Sequence, residues 1–251
     1  MIRFASALVV GLVVLLALLL TGCATAPNAK RDPRDPFERV NRATYRFNDA
    51  FDRALLKPAA KGYKKVTPQF VRTGVSNFFD NLEQPTVILG DLLQAKFRPA
   101  LSDTGRFVMN TTIGLGGLLD PASAAGLDRN DEDIGQAFGK WGVPAGPYLV
   151  IPFFGFSTVR DGIGSIAEVY TNPTHYVERD AWRYSINGLG VIDTRVGLLD
   201  TEQALENTFD RYAFIRNAFL QRREYQVTDG AVAPPVDEEP LIDPETGEAP
   251  K

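Results

Sequence analysis

The sequence predicts a mainly α-helical protein, and three observations carry that expectation. Apolar residues recur at spacings of three and four through residues 36–112, which places them on single helix faces. Prolines and capping residues stand at the starts of those stretches, where their fixed φ and side-chain acceptors favour a first turn. No run of strict two-residue alternation, the mark of a half-buried strand, occurs in that half of the chain.

Taken in order, residues 1–22 read as an export signal. Met1-Ile2-Arg3 is a positive start, residues 5–20 are apolar, and Leu20-Thr21-Gly22-Cys23 closes the segment; this is the layout of a secretory signal peptide. Leu-Thr-Gly-Cys is also the pattern cleaved before the cysteine by lipoprotein signal peptidase. The mature chain is therefore expected to begin at an acylated Cys23. The apolar run is shorter than the ~20 residues a spanning helix needs, whereas two or three acyl chains anchor a protein stably to a membrane surface. Ala24 follows; in enteric bacteria an Asp there keeps a lipoprotein at the inner membrane, and its absence favours the outer membrane, with the protein facing the periplasm. Residues 23–35, with Pro27 and Pro33, form a short lipidated tether.

Residues 36–226 are the expected folded body. A first helix spans 36–57, with Asp35 as cap and Phe37, Val40, Phe47, Phe51 and Leu55 on one face, ended by Pro58. A second opens at Thr67-Pro68, a third at Pro85, and a fourth runs from Pro99 to about Thr112. The acids Asp131, Glu132 and Asp133 suit the first turn of a helix over 134–141, where they offset its dipole. Tyr148 to Ile151 reads as a short buried strand, Ser157 as the cap of a helix to about Tyr170, and further helices are expected over 180–199 and 202–226. Two Gly-rich segments stand apart. Residues 110–127 carry only Asp120 as a charge, and residues 141–159 carry none, while holding Pro144, Pro147 and Pro152. Irregular backbone of that kind sits at membrane depth only where protein or a cavity surrounds it. Residues 227–251 are Pro-rich, acidic and free of aromatic residues; such a tail is expected to be disordered.

Charge and side-chain chemistry narrow the function. The body carries 22 acids and 22 bases over residues 36–226, which argues against nucleic acid as a partner. Within it, residues 38–72 hold nine bases against three acids, an excess near the tether for which lipid phosphates are a natural counter-charge. Cys23 is the only cysteine and is consumed by lipidation, so neither a thiol nucleophile nor a cysteine metal site is available. His175 is the only histidine and lies in a turn-like stretch. A nucleophile elbow needs Gly-x-Ser-x-Gly; the segments around Ser76 and Ser157 lack the second glycine. Residues 128–133 do not match a calcium loop, and no phosphate-cradling loop is present. No catalytic residue, metal site or cofactor is expected, which leaves a lipid hydrolase using Ser76 or Ser157 with His175 as a weak rival.

Several blocks together resemble one family. Asp35-Pro36-Phe37-Glu38-Arg39-Val40-Asn41-Arg42 with Tyr45, Phe47 and Asn48 comes first. Then follow Ser76-Asn77-Phe78, Asn81-Leu82-Glu83-Gln84-Pro85, Arg106-Phe107, and Asn110-Thr111-Thr112-Ile113-Gly114-Leu115-Gly116-Gly117. The most specific block is Phe138-Gly139, Trp141-Gly142-Val143, Gly146-Pro147-Tyr148 and Pro152-Phe153 with Gly155. In this order, from about Asp35 to Gln226, the chain resembles the MlaA (VacJ) lipoproteins. The resemblance implies a ring-like assembly of amphipathic helices in the inner leaflet of the outer membrane, around an amphipathic channel. It also implies association with a trimeric porin, removal of misplaced phospholipids from the outer leaflet, and delivery to a soluble periplasmic carrier, so that lipid asymmetry is maintained. On that basis residues 110–119 and 141–156 are expected to wall the channel. The residues expected to meet lipid are Phe47, Asn48, Asn110, Gly114, Gly116, Gly117, Trp141, Gly142, Pro147, Tyr148, Pro152 and Phe153. A porin-associated scaffold without lipid transfer is the other alternative.

Overall fold

The computed structural model describes residues 32–202 and 208–231. The signal peptide, Cys23, most of the tether, Leu205 and the tail beyond Ala231 lie outside the described residues. What is described is mainly helical. Helix α1 (Glu38–Phe51) passes through a π-helical turn (Asp52–Leu56) into α2 (Lys57–Val66). Pro58 therefore does not end the helix, contrary to the sequence reading. The Lys57 amide donates to the Asp52 carbonyl, five residues back. That extra residue in the turn eases the clash between a proline ring and the carbonyl four residues earlier.

Helix α3 (Gln69–Leu93) is also longer than expected, because it absorbs Pro85 instead of restarting there. An interior proline costs a helix about 3 kcal/mol. The offset is tertiary: Asn81, Gln84, Val87, Gly90 and Asp91 are buried on one face of α3, and α3 packs against α4 (Phe97–Thr112) more closely than any other helix pair among the described residues. Pro68, not Thr67, is the residue before α3, and no side-chain cap is made there.

Short elements follow. Asp120 caps α5 (Pro121–Ala124), and Asp133 caps α6 (Ile134–Lys140), its Oδ1 accepting from the Gln136 amide at 2.7 Å; the helix stands where expected, but the acid run precedes it and does not form its first turn. The expected strand is present as β1 (Tyr148–Ile151), paired antiparallel with β2 (Gly155–Thr158) so that Tyr148 faces Thr158 and Ile151 faces Gly155. Helix α7 (Val159–Glu168) is capped by Thr158, whose Oγ1 accepts from the Asp161 amide at 3.2 Å. Ser157, the expected cap, belongs to β2. After a 3-10 turn (Pro173–Tyr176) come α8 (Asp180–Gly197) and α9 (Arg211–Val227). The last helix thus begins later than expected, and Phe209, assigned to its apolar face, precedes it and is exposed. The expected tail also starts too early: Val227 is helical, and Asp229 pairs with Lys96 and, at 2.7 Å, with Lys140.

The polarity of the fold is inverted. Among the described residues nine hydrophobic side chains are buried, four of them alanine, against seventeen polar or charged ones. More than thirty large hydrophobic side chains are exposed. They fall on helix faces: Phe97, Leu101 and Val108 on α4, and Val159, Ile163 and Ile166 on α7, at spacings of three, four and seven. The polar stripes point inward and are joined by charge-assisted bonds. Arg223 bridges Asp133 (2.5 Å) and Asp161 (2.8 Å). Arg216 donates to Asp35 at 3.1 Å, beside the Tyr212 hydroxyl donating to the same oxygen at 2.5 Å. Buried charges are tolerable only when paired in this way. Exposed apolar faces of this extent mark contact with membrane or partner. No helix among the described residues is long and apolar enough to cross a membrane.

Candidate functional site

The site begins with two asparagines on one face of α1. Asn41 and Asn48 are seven residues apart and therefore stack along the helix. Asn41 Nδ2 donates to the Tyr148 carbonyl (2.9 Å) and its Oδ1 accepts from the Val150 amide (2.9 Å). Asn48 Nδ2 donates to the Ile151 carbonyl (3.0 Å) and its Oδ1 accepts from the Phe153 amide (2.9 Å). Each carboxamide thus replaces a neighbouring strand's peptide group, and α1 carries the hairpin as a sheet edge would. Phe153 turns the hairpin with φ of +66°, a left-handed conformation that side chains rarely adopt. Its ring meets Phe47 and Phe51, each with centroids 5.1 Å away.

Below this clamp lies a cavity of about 460 Å³. Its apolar lining residues include Phe51, Leu56, Phe153, Phe156, Leu198 and Ile215. Its charged ones include Asp52, Lys57, Arg195 and Glu202. Arg195, 8% exposed, binds Asp52 through Nε at 2.6 Å and also binds Glu202; Lys57 reaches Glu202 at 2.7 Å. Those two cations, opposed by burial, hold the Glu202 carboxyl below its ordinary range. The lining is amphipathic, combining fixed charge with hydrocarbon.

The residues expected to meet lipid do not all converge here. Phe47, Asn48, Pro152 and Phe153 gather at the hairpin and α1. Pro147 is half-buried at the base of β1, where its carbonyl accepts from Val159. Tyr148 belongs to the core, fully buried among Tyr45, Phe156, Tyr212 and Phe219. Trp141 and Gly142 stand exposed after α6, Trp141 donating Nε1 to the Leu93 carbonyl at 2.9 Å. Asn110, Gly114, Gly116 and Gly117 build a separate loop at the end of α4. Asn110 is buried, bound to Asp120 (2.9 Å) and to the Ala122 amide (3.1 Å). A Cβ on Gly117 would lie 2.5 Å from that of Asn81, so the glycine lets the loop close on α3. The loop presents Ile113, Leu115, Leu118 and Leu119 outward. Asp52, Lys57, Arg195, Glu202 and Leu198 are cavity residues that the sequence reading missed. The i, i+5 spacing of Asp52 and Lys57 is the only local trace of them.

The groups a hydrolase would need have other partners. Ser76 Oγ donates to Asp193 (2.8 Å), Ser157 Oγ to the Thr158 carbonyl (3.0 Å), and His175 packs edge-on against Tyr170 and Tyr176.

A family described as MlaA lipoprotein matches residues 33–226. The "Intermembrane phospholipid transport system lipoprotein MlaA" of Escherichia coli (strain K12) is 34% identical, covering 86% of this chain and 87% of that protein. The protein of the same name from Haemophilus influenzae is 32% identical over 85% and 88%. An uncharacterized protein of Rickettsia bellii is 34% identical over 80% and 79%. A solved structure described as "Structural basis for maintenance of bacterial outer membrane lipid asymmetry" matches with a TM-score of 0.70 at 32% identity, covering 78% of this chain and 100% of that one.

Proposed function

The chain belongs to the MlaA lipoprotein family, and from that premise we propose that it transports phospholipid at the outer membrane of a Gram-negative cell. It does so without covalent chemistry. It takes mislocalised phospholipid from the outer leaflet, through the amphipathic cavity, towards a soluble periplasmic carrier, and so maintains lipid asymmetry. Cys23 anchors it in the inner leaflet, beside a trimeric porin.

The single observation that carries this reading is the inverted polarity of the fold. Amphipathic helices whose apolar faces point outward are suited to lie among acyl chains. A head group crossing that layer needs a polar route, because a bare charge in hydrocarbon costs several kcal/mol. The cavity under the hairpin supplies one: acyl chains rest against Phe51, Phe153, Phe156 and Leu198, while the head group faces Arg195, Lys57 and Asp52. The exposed glycine loop and Trp141 contact lipid from outside this path.

Leu198→Glu tests the cavity. Leu198 is 52% exposed, so the substitution is compatible with folding, yet it places a carboxylate among the apolar lining residues. Cells carrying the variant at normal membrane levels are expected to accumulate outer-leaflet phospholipid as a deletion strain does. Full complementation by Leu198→Glu would remove the cavity from the transport path.

A further inference from the structure

A second cleft, of about 430 Å³, adjoins the lipid cavity and shares Tyr45 and Arg211 with it. Four arginines line it: Arg39, Arg42 and Arg46 from α1, and Arg211 from the start of α9. Its only carboxylate, Asp210, is taken. Arg42 binds it through two nitrogens at 3.0 and 2.6 Å, and that pairing, opposed by burial, holds Asp210 below its ordinary range. Arg42 in turn lies over the Tyr212 ring at 4.4 Å. Arg39, Arg46 and Arg211 are exposed and make no hydrogen bond or ion pair among the described residues. Among the described residues the cleft therefore holds three guanidinium groups with no carboxylate partner. An arginine fork matches the oxygens of a phosphate.

The placement of these groups identifies the source of the phosphate. Arg39, Arg42 and Arg46 recur at three and four, so they form one stripe of α1. An adjoining stripe of the same helix exposes Val40 and Phe47. An apolar stripe beside a cationic one is the pattern of a helix lying at a lipid interface, with its arginines at the depth of the phosphates. Phe47 also touches Phe153, which lines the lipid cavity.

We propose that this cleft binds the phosphate of an anionic phospholipid head group and gives the transporter a preference for anionic over zwitterionic lipid. A zwitterionic head group carries its own ammonium, which the arginines repel. This proposal rests on the lipid-transport reading and specifies its substrate class. Each arginine near an anionic lipid contributes about a fivefold preference.

The test uses full-length lipidated protein in neutral detergent micelles doped with radiolabelled phosphatidylglycerol or phosphatidylethanolamine at low salt. Retained lipid is measured for wild type, Arg39→Gln with Arg46→Gln, and the matching pair of lysine substitutions. Wild type is expected to retain phosphatidylglycerol at least about tenfold over phosphatidylethanolamine. The glutamine pair should lose most of that ratio and the lysine pair should keep part of it. Competition by glycerol phosphate at concentrations below those of the lipid would reassign the cleft to a free phosphate and overturn the proposal. So would an unchanged ratio in the glutamine pair with its melting temperature intact, or equal retention of both lipids by wild type. If wild type retains neither lipid, it is the lipid-transport reading that fails.

Discussion

At the scale of single residues, the hairpin depends on two side-chain amides, those of Asn41 and Asn48. Asn48→Ala removes two bonds to β1 and its turn, and leaves the Phe153 amide without its acceptor. A loss of about 1–3 kcal/mol is expected, read locally as faster hydrogen exchange at Phe153 and cleavage near Pro152. Unchanged exchange there would mean the aromatic contacts alone hold the hairpin. A different residue-level signal comes from Asp91. It is fully buried between α3 and α4; burial first, then the neighbouring Asp103, raise its carboxyl to about 7. The folded state thus binds a proton that the unfolded state releases near its ordinary value of 3.8. Stability from this group is full at low pH and is lost as pH rises from about 4 through 7. Glu132 adds to the shift and Lys96 opposes it. Asp91→Asn is expected to raise the melting temperature at pH 8 by at least about 2–4 °C and to change it little at pH 4. Equal effects at both pH values would contradict a retained proton.

At the scale of elements, much was legible and the misses share a cause. The helix after the acid run, the strand at Tyr148–Ile151 and the α4 periodicity all follow from local chemistry. Pro58 and Pro85 misled, because each prefers a helix start but is overruled here: by the π-helical turn at Asp52–Leu56 and by the packing of α3 on α4. Neither is visible in a local window. The site was half legible for the same reason. Asn48 and Phe153 fall in the blocks that carry the family resemblance, whereas Arg195 and Glu202 join them only through tertiary contact. The glycine loop gives an element-scale prediction. Gly116 has φ of +75° with no atom within 4 Å of an added Cβ, so Gly116→Ala and Gly116→Glu carry the same backbone strain of about 1–2 kcal/mol. Gly116→Glu should impair lipid asymmetry while export stays normal, and Gly116→Ala should impair it less. Equal behaviour of the two would assign the defect to strain and not to charge at a lipid-facing loop.

At the scale of the molecule, polar groups dominate the buried positions among the described residues and large apolar side chains are exposed on helix faces. A helix amphipathicity plot shows that a face is apolar but not whether it turns toward a core or toward lipid. The exterior predicts that the body associates with bilayers even without its anchor. A Cys23→Ala protein lacking residues 1–22 should float with phospholipid vesicles; if it remains in the soluble fraction without detergent, the exposed faces are covered by protein instead. The most direct test of the central claim is the phospholipid content of the outer leaflet in intact cells lacking the gene, complemented with wild type or with Cys23→Ala. Anchored lipid transport predicts surface phospholipid that rises on deletion, returns to normal with wild type and stays high with Cys23→Ala. An outer leaflet unchanged by deletion would contradict it and leave a scaffold in its place.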